Sequence, residues 1–117
     1  MTTRHTTPTR GKRIRIFVGE AQEWHGKPLY HALLEVAQQH EVLVATVLHG
    51  IEGFGPDHLL STERLPDISE NLPMIVEMID EEAQMERLLP LLDQMVQQGM
   101  ITVTLVEMLV SRRRTSW

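Results

Sequence analysis

The hydrophobic positions of this chain change period several times along its length. Residues 13–19 alternate polar and apolar side chains, the period of two that indicates a half-buried strand. After Pro28 the period lengthens to that of one helix face, with apolar residues at Leu29, Ala32, Leu33, Val36 and Ala37. Two β-branched, apolar runs, 42–48 and 73–79, then predict a second and a third strand.

A second helical period follows the third strand. Its apolar face comprises Met85, Leu88, Leu89, Leu92, Met95 and Val96. Asp80 is expected to cap this helix and Gly99 to close it, before a fourth strand over 101–110. The order β-α-β-β-α-β predicts an α+β fold, a ferredoxin-like sandwich whose four-stranded antiparallel sheet carries two helices on one face.

The face of the sheet without helices is expected to be apolar as well. In 73–79 both alternating sets of side chains are mainly apolar, and the same holds for 42–48. A sheet that is apolar on both sides requires a second cover. We therefore expect the open faces of several copies to pack together.

The length of 117 residues corresponds to one domain, and 42 % hydrophobic residues suffice for a core. We expect a disordered N-terminal lead over 1–11, a single domain over 12–110 and a basic C-terminal tail over 111–117. The connection between the second and third strands is long and contains two prolines, which is typical of a functional loop.

Charge and composition exclude several classes of function. A net charge of −5 argues against general nucleic-acid binding, and the lack of cysteine excludes disulfides and thiolate chemistry. No stretch approaches the ~20 apolar residues that span a bilayer, so we do not expect membrane insertion. We expect a cytoplasmic location. Neither a metal-ligand spacing nor a catalytic motif is present, so we assign no catalytic and no metal-binding residues.

The predicted topology brings several polar and glycine-rich segments to one edge of the sheet. These segments are 20–27, 50–55, 69–72 and 98–100. A helix start with a lysine suits an anion, glycines permit close backbone approach, and a tryptophan with a histidine can close a site. The candidate ligand-binding residues are Gly19, Glu20, Trp24, His25, Gly26, Lys27, His49, Gly50, Gly53, Phe54 and Gly55.

Four ordered segments, 15–20, 24–30, 45–55 and 88–95, resemble a bacterial domain-of-unknown-function family (number one hundred and ninety) allied to the PII nitrogen-regulatory signal proteins. The resemblance covers about residues 12–110. It implies a PII-like fold, a homotrimer, small effectors such as adenine nucleotides in clefts between subunits, and a partner protein engaged by the 56–70 loop. The turn 97–100 departs from the PII pattern, because it lacks the glycine- and lysine-rich phosphate-binding turn.

The resulting hypothesis is a PII-like signalling protein that is not an enzyme. It binds a small anionic effector, with an adenine nucleotide as the candidate cofactor. One alternative is an enzyme acting on a small acid, with His25 or His49 as general base. The other is an effector-free trimer that docks on a membrane transporter.

Overall fold

The computed structural model describes residues 7–65 and 71–111. Two helices and eight strands, four of them only two residues long, form these parts of the chain. In order they are β1 (Thr9–Gly19), β2 (Glu23–Trp24), β3 (Lys27–Pro28), α1 (Leu29–Gln39), β4 (Val44–His49), β5 (Glu52–Gly53), β6 (Ser61–Thr62), β7 (Pro73–Glu81), α2 (Glu82–Met95) and β8 (Met100–Met108).

The four longer strands form one antiparallel sheet in the order β4-β7-β1-β8. Helix α1 packs on β4 and β7, and α2 packs on β1 and β7. The predicted ferredoxin-like α+β fold is therefore confirmed. The pairs β2–β3 and β5–β6 are additional two-stranded ladders that the hydrophobic pattern does not predict.

The core lies between the helices and the sheet. Its fully buried large side chains include Ile14, Ile16, Leu33, Val76, Met78, Met85 and Leu92. Pro28 stands at the N-cap position of α1, where its missing N–H leaves no further donor unsatisfied. Because α1 and α2 bury the predicted apolar faces, their periods alone were sufficient to orient them.

Strand β1 begins earlier than the predicted domain boundary at residue 12. Thr9 pairs with Met108 and Gly11 with Val106, so residues 9–11 belong to the sheet. They do not belong to an N-terminal lead, because the antiparallel partner β8 extends far enough to pair with them. Residues 7 and 8 of the predicted lead are described and lie outside the strands, whereas residues 1–6 of the lead and 112–117 of the predicted basic tail lie outside the described residues.

The prediction that Asp80 caps α2 is wrong. Helix α2 begins at Glu82 with Glu81 as its N-cap, and Asp80 is still in β7. The Asp80 carboxylate instead accepts hydrogen bonds from the backbone N–H of Leu43 at 3.1 Å and of Glu81 at 2.6 Å. It thus joins the start of β4 to the end of β7. Helix α2 also ends at Met95, before Gly99.

The open face of the sheet consists of rows of side chains that cross all four strands. The strand register aligns an apolar row of Leu48, Ile75, Phe17 and Met100. The next row is polar and consists of Thr46, Glu77, Arg15 and Thr102, and the third is mixed and consists of Val44, Ile79, Arg13 and Thr104. The open face is therefore less uniformly apolar than the sequence suggested, because β1 contributes two arginines to it.

Candidate functional site

Several predicted segments meet at the edge of the sheet where β1 ends and β7 begins. The backbone N–H of Glu20 donates to Leu72 O at 2.8 Å, and that of Gly50 donates to Pro73 O at 2.7 Å. The Asn71 side chain accepts a hydrogen bond from the N–H of Ala21 at 2.9 Å. These bonds fix the loops after β1 and β4 against the start of β7. Residues 66–70, which include part of the predicted edge, lie outside the described residues.

The loop after β1 folds into a small hairpin that the sequence analysis treated as an open loop. Strands β2 and β3 pair Trp24 with Lys27, and His25 and Gly26 form the two-residue turn. Both turn residues have positive φ, 49° at His25 and 84° at Gly26, as a type I′ hairpin turn requires. Gly26 suits this position because glycine adopts a positive φ without strain. Crowding is not the reason, since a Cβ here would have no neighbour within 4 Å.

The hairpin presents a stacked pair of rings. The Trp24 indole and the His25 imidazole lie 4.5 Å apart between centroids with an interplanar angle of 7°. Trp24 is half-buried and also packs against the core, whereas His25 is exposed. The indole is therefore held by the fold, and the imidazole covers part of it at the surface.

A cleft of about 520 Å³ lies between the hairpin and the C-terminal end of α2. This volume is within the range of small-molecule sites. The cleft is open to solvent and is lined by residues 22–25, Leu29, Met95, Gln97 and Gln98. Of the candidate residues, Trp24 and His25 therefore lie in this cleft.

A second, smaller cleft of about 210 Å³ shares Trp24, His25 and Met95 with the first and is also lined by Lys27 and Glu35. The Lys27 ammonium donates a hydrogen bond to the Glu35 carboxylate at 2.8 Å. This hydrogen bond lowers the pKa of Glu35, and the charges of Lys27 and His31 lower it further against partial desolvation. Lys27 thus already has an anionic partner on α1.

The start of α1 is also partly occupied. The N–H of Leu29, the first helical residue, donates to Gln22 O at 2.8 Å. An anion at this helix terminus, as the sequence predicts, has to bind beside this bond and beside the Lys27–Glu35 pair.

A second group of candidate residues surrounds the ends of β1 and β4. His49 Nε2 lies 3.4 Å from Glu20 Oε2, and both side chains are partly exposed. A Cβ on Gly19 would collide with the Asn71 side chain, and a Cβ on Gly50 would come within 2.7 Å of Pro73 Cγ. At these two positions glycine is therefore needed because neighbouring residues pack too close for a side chain.

The long loop after β4 is closed at its base by the pairing of β5 with β6. Glu52 accepts a hydrogen bond from the hydroxyl of Thr62 at 2.8 Å, and Thr62 is almost completely buried. Beyond this base the Phe54 ring lies 5.2 Å from the His58 ring, and Phe54 is 66 % exposed. Of the remaining candidates, Gly53 packs against Pro73 at the base and Gly55 has no neighbour within 4 Å of its would-be Cβ. Neither cleft is lined by these loop residues.

Sequence reasoning missed six of the eight residues that line the larger cleft. The residues it did not single out are Gln22, Glu23, Leu29, Met95, Gln97 and Gln98. The pair Gln97-Gln98 carried a signal, because two carboxamides follow the last apolar position of α2 and precede a glycine. The predicted topology placed 98–100 at the same edge as 20–27, but no ligand role was assigned to either glutamine.

Among the described residues, no group of three or more His, Asp, Glu or Cys side chains is arranged to hold a metal ion. Within residues 7–65 and 71–111, neither helix is long and apolar enough to cross a membrane.

The fold defines the class of protein. The CPII protein of Thiomonas intermedia K12, a nitrogen regulatory PII-like protein solved with ADP, AMP and bicarbonate, matches with a TM-score of 0.59 at 14 % identity. The match covers 92 % of this chain and 94 % of CPII. A proposed PII-like signalling protein of Thermus thermophilus matches with a TM-score of 0.59 at 17 % identity, over 90 % of this chain and 93 % of that one. The fold is PII-like.

The chain belongs to the DUF190 family of uncharacterised proteins, whose model matches residues 11–108. The UPF0166 protein of Aquifex aeolicus is 38 % identical over 78 residues, which cover 67 % of this chain and 74 % of the relative. A UPF0166 protein of Methanocaldococcus jannaschii is 28 % identical over 81 % of this chain and 88 % of its own length. The family suggested by the four sequence segments is thereby confirmed.

Proposed function

We propose that this protein is a PII-like regulator that binds a small anionic effector at the edge formed by the β2–β3 hairpin, α1 and the end of α2. The observation that carries the proposal is the pair of adjoining clefts on either side of Trp24 and His25. The ADP and AMP bound by the PII-like CPII protein make an adenine nucleotide the first effector to test.

The anionic group of the effector is assigned to the smaller cleft. Lys27 lies in that cleft, and half of its side chain is exposed to solvent. An incoming phosphate or carboxylate would share the ammonium with Glu35 or displace it.

The effector site is completed by assembly into a homotrimer through the open face of the sheet. On this face Phe17 is 36 % exposed, Leu48 48 % and Met100 54 %. The Nε of Arg13 is buried and has no hydrogen-bond partner among the described residues. Because this atom is already shielded within one copy, the exposed apolar row is the feature that favours assembly.

The signal is transmitted by the loop after β4. Ile51, Phe54, Leu59, Leu60 and Leu65 are each more than half exposed. Exposed apolar residues in one loop favour contact with a partner protein, because a monomer alone gains nothing from them. We propose that loop 56–70, with the residues that flank it, makes this contact.

Native mass spectrometry of the full chain, followed by calorimetric titration with ADP, AMP, bicarbonate and inorganic phosphate, tests the proposal. We expect a trimer that binds one or more of these anions. Lys27→Met should weaken the binding roughly tenfold or more, since a charge-assisted hydrogen bond is lost. Lys12→Met is the matched control, because Lys12 pairs with Glu86 on a different part of the surface. A trimer that binds none of the panel would contradict the effector role.

An enzyme acting on a small acid is a second candidate, favoured by the Glu20–His49 pair. A carboxylate 3.4 Å from an imidazole nitrogen can orient the ring as a general base. Incubation of the protein with the bound effector distinguishes the two functions. A regulator returns its ligand unchanged, whereas an enzyme converts it and loses turnover in His49→Gln.

A further inference from the structure

The larger cleft has a lining that favours positive charge. It contains the carboxylate of Glu23. Its other polar groups include the carboxamides of Gln22, Gln97 and Gln98, whose oxygens accept hydrogen bonds. No lysine or arginine is found among the described residues that line it. A carboxylate without a basic neighbour repels an anion and attracts a cation, so the cleft is suited to a positively charged group.

The C-terminal end of α2 adds to this negative potential. Helix α2 ends at Met95, which lines the cleft, and its last turn contains no basic residue. The exposed Asp93 adds a carboxylate to the same turn. The last carbonyl groups of a helix carry a partial negative charge that stabilises nearby cations. The end of α2 therefore favours the same sign of ligand charge as Glu23 does.

The apolar part of the lining suits the carbon chain that carries such a group. Trp24, Leu29 and Met95 contribute this part. An aliphatic stem that ends in an ammonium group packs its methylene groups on apolar surface and keeps the charge among polar groups. An indole also attracts a cation that lies within about 6 Å of its ring. The cleft thus fits an aliphatic amine better than an inorganic cation.

The two adjoining clefts separate side chains of opposite charge. Glu23 lines the larger cleft and Lys27 lines the smaller one, whereas Trp24 and His25 line both. In the hairpin ladder Glu23 pairs with Pro28 and Trp24 pairs with Lys27. Because consecutive strand residues point to opposite faces, Glu23 and Lys27 lie on opposite faces of the hairpin. A ligand that reaches both clefts therefore meets a carboxylate at one end and an ammonium at the other.

We infer that the larger cleft binds an aliphatic ammonium group, so that the effector is a zwitterion whose acid lies beside Lys27 and whose amine lies beside Glu23. The inference rests on the proposed function, because it adds a second charged group to the anionic effector assigned there. It restricts the effector to molecules whose acid and amine are separated by a carbon chain long enough to cross the Trp24–His25 pair.

Three ligands of equal carbon number test the inference. Hexanoate carries the acid alone, hexylamine the amine alone, and 6-aminohexanoate both. Each is titrated at constant ionic strength into the full chain carrying Trp117→Phe, in which Trp24 is the sole tryptophan, and the NMR signal of the Trp24 indole N–H is followed. We expect 6-aminohexanoate to bind at least about fivefold more tightly than either single-charge ligand, because it makes both ionic contacts.

Two variants locate the two ends of the ligand. Glu23→Gln should lower the affinity for 6-aminohexanoate to about that for hexanoate, because the contact with the amine is lost. Lys27→Met should lower it to about that for hexylamine, because the contact with the acid is lost. Glu41→Gln is the matched control, since it removes the same charge from an exposed residue that lines neither cleft.

The outcomes separate this inference from the proposed function. If hexanoate binds as tightly as 6-aminohexanoate, or if Glu23→Gln behaves like Glu41→Gln, the inference falls while the anionic effector remains. If hexylamine binds but neither hexanoate nor any anion of the first panel does, the anionic effector role falls and the ammonium site of the larger cleft stands. If none of the three ligands binds, the inference is overturned whatever the anion panel shows.

Discussion

At the scale of single residues, the pair Lys27–Glu35 governs the charge of the candidate site. The two charged atoms lie 2.8 Å apart, and the hydrogen bond is the main cause of the lowered pKa of Glu35. His31 Nε2 lies farther from the same carboxylate, at 3.8 Å. The availability of Lys27 to an effector therefore depends on the ionisation of one glutamate.

Replacing Lys27 with methionine should raise the pKa of Glu35 toward its ordinary value. NMR titration of the Glu35 side-chain carboxyl would measure this change. His31→Gln is the control and should raise the pKa less, because Lys27 makes the larger contribution. An equal or larger shift in His31→Gln would contradict the assigned cause.

The same pair makes stability depend on pH with a defined sign. Because the pKa of Glu35 is lowered in the folded state, the stabilisation is present above the unfolded pKa and is lost as the pH falls through the folded value. The difference in unfolding free energy between the wild type and Lys27→Met should thus be constant at neutral pH and shrink as the pH falls below about 5 and through the lowered pKa of Glu35. Urea unfolding at several pH values measures it, and a constant difference would argue against the pair.

At the scale of elements, the turns around the site depend on backbone conformations that favour glycine. Gly26 has φ 84° in the hairpin turn, and Gly99 has φ 144° in the turn between α2 and β8. A Cβ on Gly99 would also collide with Phe17 O in β1. The end of α2 is therefore held close to β1, which places Gln97 and Gln98 opposite the hairpin.

Alanine substitutions should separate strain from steric conflict. Gly99→Ala should destabilise the fold by about 2–4 kcal/mol, because both the φ angle and the Phe17 carbonyl oppose a Cβ. Gly26→Ala should cost about 1 kcal/mol from the φ angle alone. Gly55→Ala, which meets neither obstacle, should stay within about 0.5 kcal/mol. Thermal or urea unfolding measures the series, and equal losses at all three positions would contradict this account.

At the scale of the whole molecule, the open face of the sheet is the surface through which the proposed trimer would assemble. Its apolar row crosses all four strands, and the adjoining polar row contains the Arg15–Glu77 ion pair at 2.6 Å. In a cyclic trimer each contact joins different parts of two copies, and an apolar row beside charged groups of both signs can contribute to such a contact.

Leu48→Asp should dissociate the proposed trimer, because each copy would then bury a carboxylate without a partner. Leu59→Asp is the matched control, since Leu59 is 71 % exposed in the loop and outside the open face. Light scattering coupled to gel filtration distinguishes monomer from trimer. A Leu48→Asp variant that remains trimeric would place the interface elsewhere.

The main fold could be predicted because its helices and first strand show a clear period, and its second and third strands are runs of seven mainly apolar residues. Residues 13–19 and the Met85–Met95 face each repeat often enough to define strand and helix. The β2–β3 hairpin could not be predicted, since strands of two residues have no measurable period. The topology placed the segment 98–100 at the same edge as 20–27, but it could not show that Gln97 and Gln98 line a cleft, because that depends on where α2 ends relative to β1. The prediction that Asp80 caps α2 failed because the carboxylate binds the backbone of Leu43, which is distant in sequence.

The closed base of the long loop determines where the sequence of this chain can change without loss of the fold. Gly50 is fixed to Pro73, and Glu52 to Thr62, so the segment between the two short strands is tethered at both ends close to the body. Doubling the length of such a segment costs only about 0.6 kcal/mol of closure entropy. Residues 54–60 can therefore be replaced or extended with little loss of stability. A single scaffold can in this way acquire a new recognition sequence while the hairpin, the clefts and the sheet stay unchanged.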